Sequence, residues 1–291
     1  MNTGLVRMRV VTLALNVPGP VAAARLAGMG ARVVKVEPPG GDPLGRYSPE
    51  WYETLAAGQE IVSLNLKEAD GLGRCNDLLA SADLLLTAQR PSALHRLSLD
   101  WPRLHRDFPR LCHVAIVGHA RPNEEMPGHD LTYVAAAGLV CPPGLPLTLL
   151  ADLGGAEMAV SAALRLVLVR EQTGEGAYAE VALAEAAEQF ARPLTYGLTR
   201  PGGLLGGGFP GYGFYRTREG YVAVSTLEPH FFRRLLEELG LVEGTRRALE
   251  QAFSTRTAAE WEVWARERDL PICMARTSPC ADGLSLPDVA R

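Results

Sequence analysis

Short apolar runs alternate with longer helical patterns along most of this chain. Arg9 to Leu15 is almost wholly apolar, and Asn16-Val17-Pro18-Gly19-Pro20 breaks it. A brief continuous apolar run between turn residues predicts a strand buried on both faces. Val21 to Met29 is Ala-rich with Gly30 as a stop, which predicts a helix. Arg32 to Val36 predicts a second strand, ended by Glu37-Pro38-Pro39-Gly40-Gly41-Asp42-Pro43. Such a strand–helix–strand unit calls for a parallel sheet. Its first turn reads Val-Pro-Gly-Pro rather than a GxGxxG fingerprint, so no dinucleotide site is assigned to it.

The alternation persists. Strands are predicted at Ile61 to Leu66, Asp83 to Leu86, Cys112 to Val117 and Tyr178 to Leu183. Helices are predicted at Ala69 to Ala82, from Arg90-Pro91-Ser92 onward, at Tyr133 to Leu139, and at Asp152 to Glu171. The last has a broad face of small apolar residues, including Ala156, Ala159 and Ala163, so another element must pack close to it. The pattern changes near Arg200. Pro201 to Gly213 is glycine-rich and reads as a linker or a loop over a site. A hairpin across Thr217-Arg218-Glu219-Gly220, a helix from Glu228 to Leu239 and a capped helix from Ser254 to Ala265 follow. The predicted architecture is α/β, with a parallel sheet in a large domain at 1–200 and a second, smaller domain at 201–291. No internal repeat is visible.

Composition narrows the function. The net charge of −4 and pI near 5.9 argue against a nucleic-acid partner. Cys75, Cys112, Cys141, Cys273 and Cys280 are scattered without a CxxC pair, which argues against a zinc site or disulfide framework and fits a cytoplasmic protein. No apolar run is long enough to span a membrane.

Candidate chemistry gathers between Gly128 and Gly155. His129 and Asp130 open this stretch, and Asp152 stands before Leu153-Gly154-Gly155 at the start of the longest helix pattern. An Asp there is either a helix cap or a reactive carboxylate with open backbone beside it. His129 alone reads more often as a structural or surface histidine, and Asp130 equally as a cap. The remaining histidines have no metal-ligand spacing, and no metal is expected.

The order of several short pieces resembles the family III CoA-transferases, the carnitine dehydratase and bile-acid-inducible group that includes α-methylacyl-CoA racemase. The pieces are Gly19-Pro20, Gly30-Ala31-Arg32-Val33-Val34-Lys35-Val36-Glu37, Gly41-Asp42-Pro43, Arg90-Pro91, Pro127-Gly128-His129-Asp130, Asp152-Leu153-Gly154-Gly155, and Arg170 to Gly176. Three stretches look like the racemase branch: Gly128 to Tyr133, Leu204 to Pro210 running into Tyr215, and Ser225 to Pro229. The chain departs from the family in having Gln59 where a basic residue is usual, and in ending at Arg291 before a C-terminal return to the large domain.

The resemblance implies an interlocked homodimer, each chain with a Rossmann-like large domain and a smaller α+β domain, acting on an acyl-CoA thioester, with coenzyme A as part of the substrate and no tightly bound cofactor. It places Asp152 and His129 as acid/base groups, with His129 near Glu228 and Asp130 close by. Arg90, Lys35 and Arg46 become candidates for the CoA phosphates, and Gly154 and Gly155 for close approach of substrate to backbone. The N–H groups after Asp152 would hold the thioester oxygen. Racemising a 2-methylacyl-CoA needs α-proton removal on one face and return on the other. CoA transfer would instead use Asp152 as a nucleophile, through an acyl–aspartyl anhydride and an aspartyl-CoA thioester. A third expectation is CoA binding with little turnover.

Overall fold

The computed structural model describes residues 5 and 8–276, which fall into two compact units divided between Ala191 and Arg192. Cys280 lies outside the described residues, and the other four cysteines are free thiols.

In the first unit the chain runs β1 (Arg9–Thr12), α1 (Pro18–Gly28), β2 (Arg32–Glu37), α2 (Leu44–Tyr47), α3 (Pro49–Ala56), β3 (Glu60–Ser63), α4 (Ala69–Leu79) and β4 (Leu84–Thr87). It continues through α5 (Pro91–Arg96), α6 (Trp101–Asp107), β5 (Cys112–Val117), α7 (Asp130–Ala136), α8 (Leu150–Thr173), β6 (Tyr178–Ala182) and α9 (Leu183–Thr195), the last four residues of which fall in the second unit. All six strands are parallel, in the order β3-β2-β1-β4-β5-β6. This is the doubly wound order, in which successive crossovers reverse direction between β1 and β4.

Alternation along the strands places helices on both faces. Val10, Leu84, Leu86, Val114 and Ile116 join the core that includes residues of α1, α7 and α8. Val11, Leu85 and Leu111 join a second core with Cys75 and Leu79 of α4, Leu94 of α5 and Leu104 of α6. The small-residue face predicted for α8 is real: Gly154, Gly155, Ala156, Ala159 and Ala163 are buried, and the helix packs against α1, α7, β5 and β6.

The second unit holds a helical turn at Leu204–Gly208, then β7 (Tyr212–Arg216), β8 (Tyr221–Ser225), α10 (Pro229–Leu239), α11 (Arg246–Phe253), α12 (Ala258–Arg266) and β9 (Ile272–Met274). Its antiparallel sheet has the order β7-β8-β9, and Tyr215, Val222, Leu235, Phe253, Trp261 and Trp264 form its core. The predicted hairpin is present. The predicted cap at Ser254 is corrected to Thr257, which with Glu260 forms a capping box, while Ser254 ends α11. Among the described residues no helix is long and apolar enough to cross a membrane.

Candidate active site at the carboxyl ends of the strands

Ligands of doubly wound sheets bind beyond the carboxyl ends of the strands, where the crossover direction reverses. Two clefts of the first unit lie there. The smaller has a volume of about 170 Å3, and its walls include Asn16, Gln89, Arg90, Gly128, His129 and Asp152. The larger, about 720 Å3, has apolar walls that include Leu13, Val36, Leu64, Leu66 and Leu97, with Lys67 and Arg96 also lining it. Leu15 and Gln89 line both, so the two clefts adjoin.

Asp152 is not the helix cap. Leu149 holds the N-cap position of α8, which places Asp152 in the first turn, and its backbone N–H donates to Asp130 Oδ1 at 3.0 Å. Burial, and then the charge of Asp130, raise the Asp152 pKa to about 6. A carboxyl that changes protonation near neutrality suits proton transfer.

Asp130 is 4% exposed and is the first residue of α7; its carboxylate caps the neighbouring helix rather than its own. His129 precedes it at the N-cap position, exposed, with its backbone N–H and carbonyl tied to the Thr132 hydroxyl at 3.1 and 2.7 Å. The ring is thereby carried on a fixed backbone at the wall of the cleft that holds Asp152. Arg90 stands at the N-cap of α5, exposed, in the same wall. Glu228 belongs to the second unit, exposed at the N-cap of α10.

Four expectations change. Lys35 is 1% exposed, and its Nζ lies 2.6 Å from both Glu37 Oε1 and Asp42 Oδ2, so its charge is neutralised inside the fold and is not free for a CoA phosphate. Burial pushes the Glu37 pKa up, but hydrogen bonds from Lys35 and Tyr52 outweigh it and leave it lowered. Gly154 and Gly155 serve helix packing: a Cβ on Gly154 would overlap the Phe190 ring, and one on Gly155 would overlap Leu183. The N–H groups of Asp152 and Leu153 near the start of α8 are already engaged, that of Asp152 by Asp130 and that of Leu153 by the Leu149 carbonyl at 3.0 Å. They are therefore not free to hold a thioester oxygen. Arg46, exposed on α2, lines neither cleft.

The cleft walls also hold Gln89, Lys67 and Arg96, which the sequence pattern did not mark. Lys67 follows β3 and Gln89 follows β4, at the ends where ligands bind, so the strand assignments already contained a usable signal. Gln59, where a basic residue was expected, donates to the Leu55 carbonyl at 2.7 Å.

Residues 5–290 match CoA-transferase family III. The chain belongs to that family. Human alpha-methylacyl-CoA racemase is 30% identical over 283 residues, covering 87% of this chain and 72% of the relative. Cinnamoyl-CoA:phenyllactate CoA-transferase of Clostridium sporogenes is 28% identical, covering 93% of this chain and 77% of the relative. The crystal structure of Rv3272 from Mycobacterium tuberculosis matches with a TM-score of 0.81 and 27% identity, covering 94% of this chain and 84% of that one. This chain's relatives in family III thus include both racemases and CoA-transferases.

Proposed function

We propose that this protein racemises 2-methylacyl-CoA thioesters by removing and returning the α-proton. The observation that carries the reading is that His129 and Asp152, a base and an acid from different helices, line one cleft. A neutral imidazole accepts the proton while a protonated Asp152 supplies one, and the roles reverse for the other enantiomer. A carboxyl with a pKa raised to about 6 is available in both forms near neutral pH.

The adjoining larger cleft takes the nucleotide end of CoA. Its apolar walls suit adenine, and Lys67 and Arg96 offer cations for the phosphates. Arg90, in the wall of the smaller cleft, supplies a further cation between the two ends. Glu228 as the carboxylate partner of His129 belongs to the same proposal, as does a homodimer.

A second reading, CoA transfer through Asp152, draws on the similarity to the cinnamoyl-CoA enzyme. It requires a second carboxylic acid as acceptor and an ionised Asp152 as nucleophile. Incubation with a panel of acyl-CoAs in deuterated water, followed by mass spectrometry, separates the two. A 2-methylacyl-CoA that gains one mass unit supports racemisation. Exchange into none of them, with CoA moving to an added acid, defeats it in favour of transfer.

A further inference from the structure

The N–H groups of Asp152 and Leu153 in the first turn of α8 are not free for the thioester oxygen, because Asp130 and Leu149 already accept from them. Negative charge develops on that oxygen whether the reaction forms an enolate or a tetrahedral intermediate, and a donor in the cleft wall lowers the barrier for either.

Tyr133 presents such a donor. It lies one turn along α7 from His129, is 3% exposed, and lines the cleft that contains Asp152 and Arg90. Its ring meets His119 edge-on at 5.1 Å between centroids. Its hydroxyl makes no hydrogen bond among the described residues, although buried tyrosine hydroxyls usually find a partner. Space for the phenol tip is created by two glycines. A Cβ on Gly118 would overlap the hydroxyl oxygen, and one on Gly128 would lie 2.6 Å from it. Burial and the nearby charge of Asp152 raise the phenol's pKa, partly offset by Arg90, so the group keeps its proton at neutral pH. The hydroxyl is thus near enough to Asp152 to feel its charge without being bonded to it.

We infer that Tyr133 is a further catalytic residue, whose hydroxyl donates a hydrogen bond to the carbonyl oxygen of the bound thioester. This rests on the acyl-CoA reading of the cleft. A substrate that sets its α-carbon or carbonyl carbon against Asp152 brings the carbonyl oxygen within two bonds of the reacting atom. The hydrogen bond strengthens as charge builds on that oxygen, and the proton stays on tyrosine throughout. The same contact serves proton exchange and transfer, so the inference does not depend on which the enzyme performs.

The test is Tyr133→Phe, which removes the oxygen and keeps the ring. Because the hydroxyl bonds to none of the described residues, the variant is expected to melt at the wild-type temperature. Its kcat should fall by about 100-fold, the scale of losing one donor to a developing oxyanion, with KM for the acyl-CoA nearly unchanged. Wild-type kcat in the variant would overturn the inference and leave the function standing. So would a lowered melting temperature with unaltered kcat, since the hydroxyl would then serve the fold. A wild-type protein that turns over no acyl-CoA would bring down the functional reading and this assignment together.

Discussion

The carboxylate of Asp130 accepts a hydrogen bond from the backbone N–H of Asp152, 22 residues later in the chain, at 3.0 Å. One acid thereby anchors the first turn of α8 and loads the other acid electrostatically. The anchor needs only an oxygen, whereas the loading needs a charge. Asp130→Asn separates the two, since an amide oxygen still accepts from the N–H. The variant is expected to fold as the wild type does. Its pH–rate profile should keep its shape, with the acid limb displaced to lower pH because one cause of the raised Asp152 pKa is gone. An unmoved acid limb would count against the coupling.

Asp152 itself costs stability when ionised. The folded protein holds its proton up to about pH 6, whereas an unfolded Asp releases it near pH 3.9. Between those values the folded state binds more protons, so this group makes stability fall as pH rises. Asp152→Asn removes the penalty and keeps the backbone bond to Asp130. The variant should be more stable than wild type at pH 7.5, by about 2 kcal/mol after allowance for partial solvent exposure. The advantage should vanish at pH 4. Activity should drop by about 10²–10⁴-fold, the usual contribution of an acid/base group. Thermal melts at the two pH values, beside the exchange rate, check both halves.

His113 acts in the opposite direction. It is 1% exposed on β5, with Nε2 2.9 Å from the Thr87 hydroxyl, and burial lowers its pKa to about 3. An unfolded histidine takes a proton near pH 6.5. From there down to about pH 3 the unfolded state binds more protons, so stability falls with falling pH. Replacing it by the uncharged His113→Gln should flatten the acid side of the stability curve, whatever it does to stability at neutral pH. A variant whose acid limb is as steep as the wild type's contradicts this.

Lys35 was expected at the CoA phosphates and instead sits between two buried carboxylates. Lys35→Met leaves Glu37 and Asp42 without their cation, at a cost of about 3–5 kcal/mol. Asp42 Oδ1 also accepts from the Asn16 N–H at 3.0 Å, and Asn16 lines the cleft of Asp152. KM for an acyl-CoA should therefore rise in whatever fraction still folds. Chemical denaturation with the same slope but a lower midpoint is the expected signature.

What was readable in the sequence follows from burial. Strands such as Cys112–Val117 are buried along their whole length and read as unbroken apolar runs, so even their bounds were legible. The short helices Leu44–Tyr47 and Trp101–Asp107 were not, because each buries a single residue and leaves no periodic stripe. At the site, His129, Asp152 and Arg90 were named from sequence and share one cleft. The roles given to Lys35, Gly154 and Gly155 depended on which neighbours would fill the space beside them. Those neighbours, Glu37 with Asp42, Phe190 and Leu183, are set by tertiary packing rather than by local pattern.

The central claim is that Asp152 exchanges the α-proton of an acyl-CoA. Its most direct test is the rate of deuterium incorporation into a 2-methylacyl-CoA in deuterated water, measured for wild type and for Asp152→Ala under identical conditions. Catalysed incorporation by the wild type, lost in a variant that still folds, is the predicted result. Equal incorporation by both proteins, or none by the wild type with any 2-methylacyl-CoA, would contradict it.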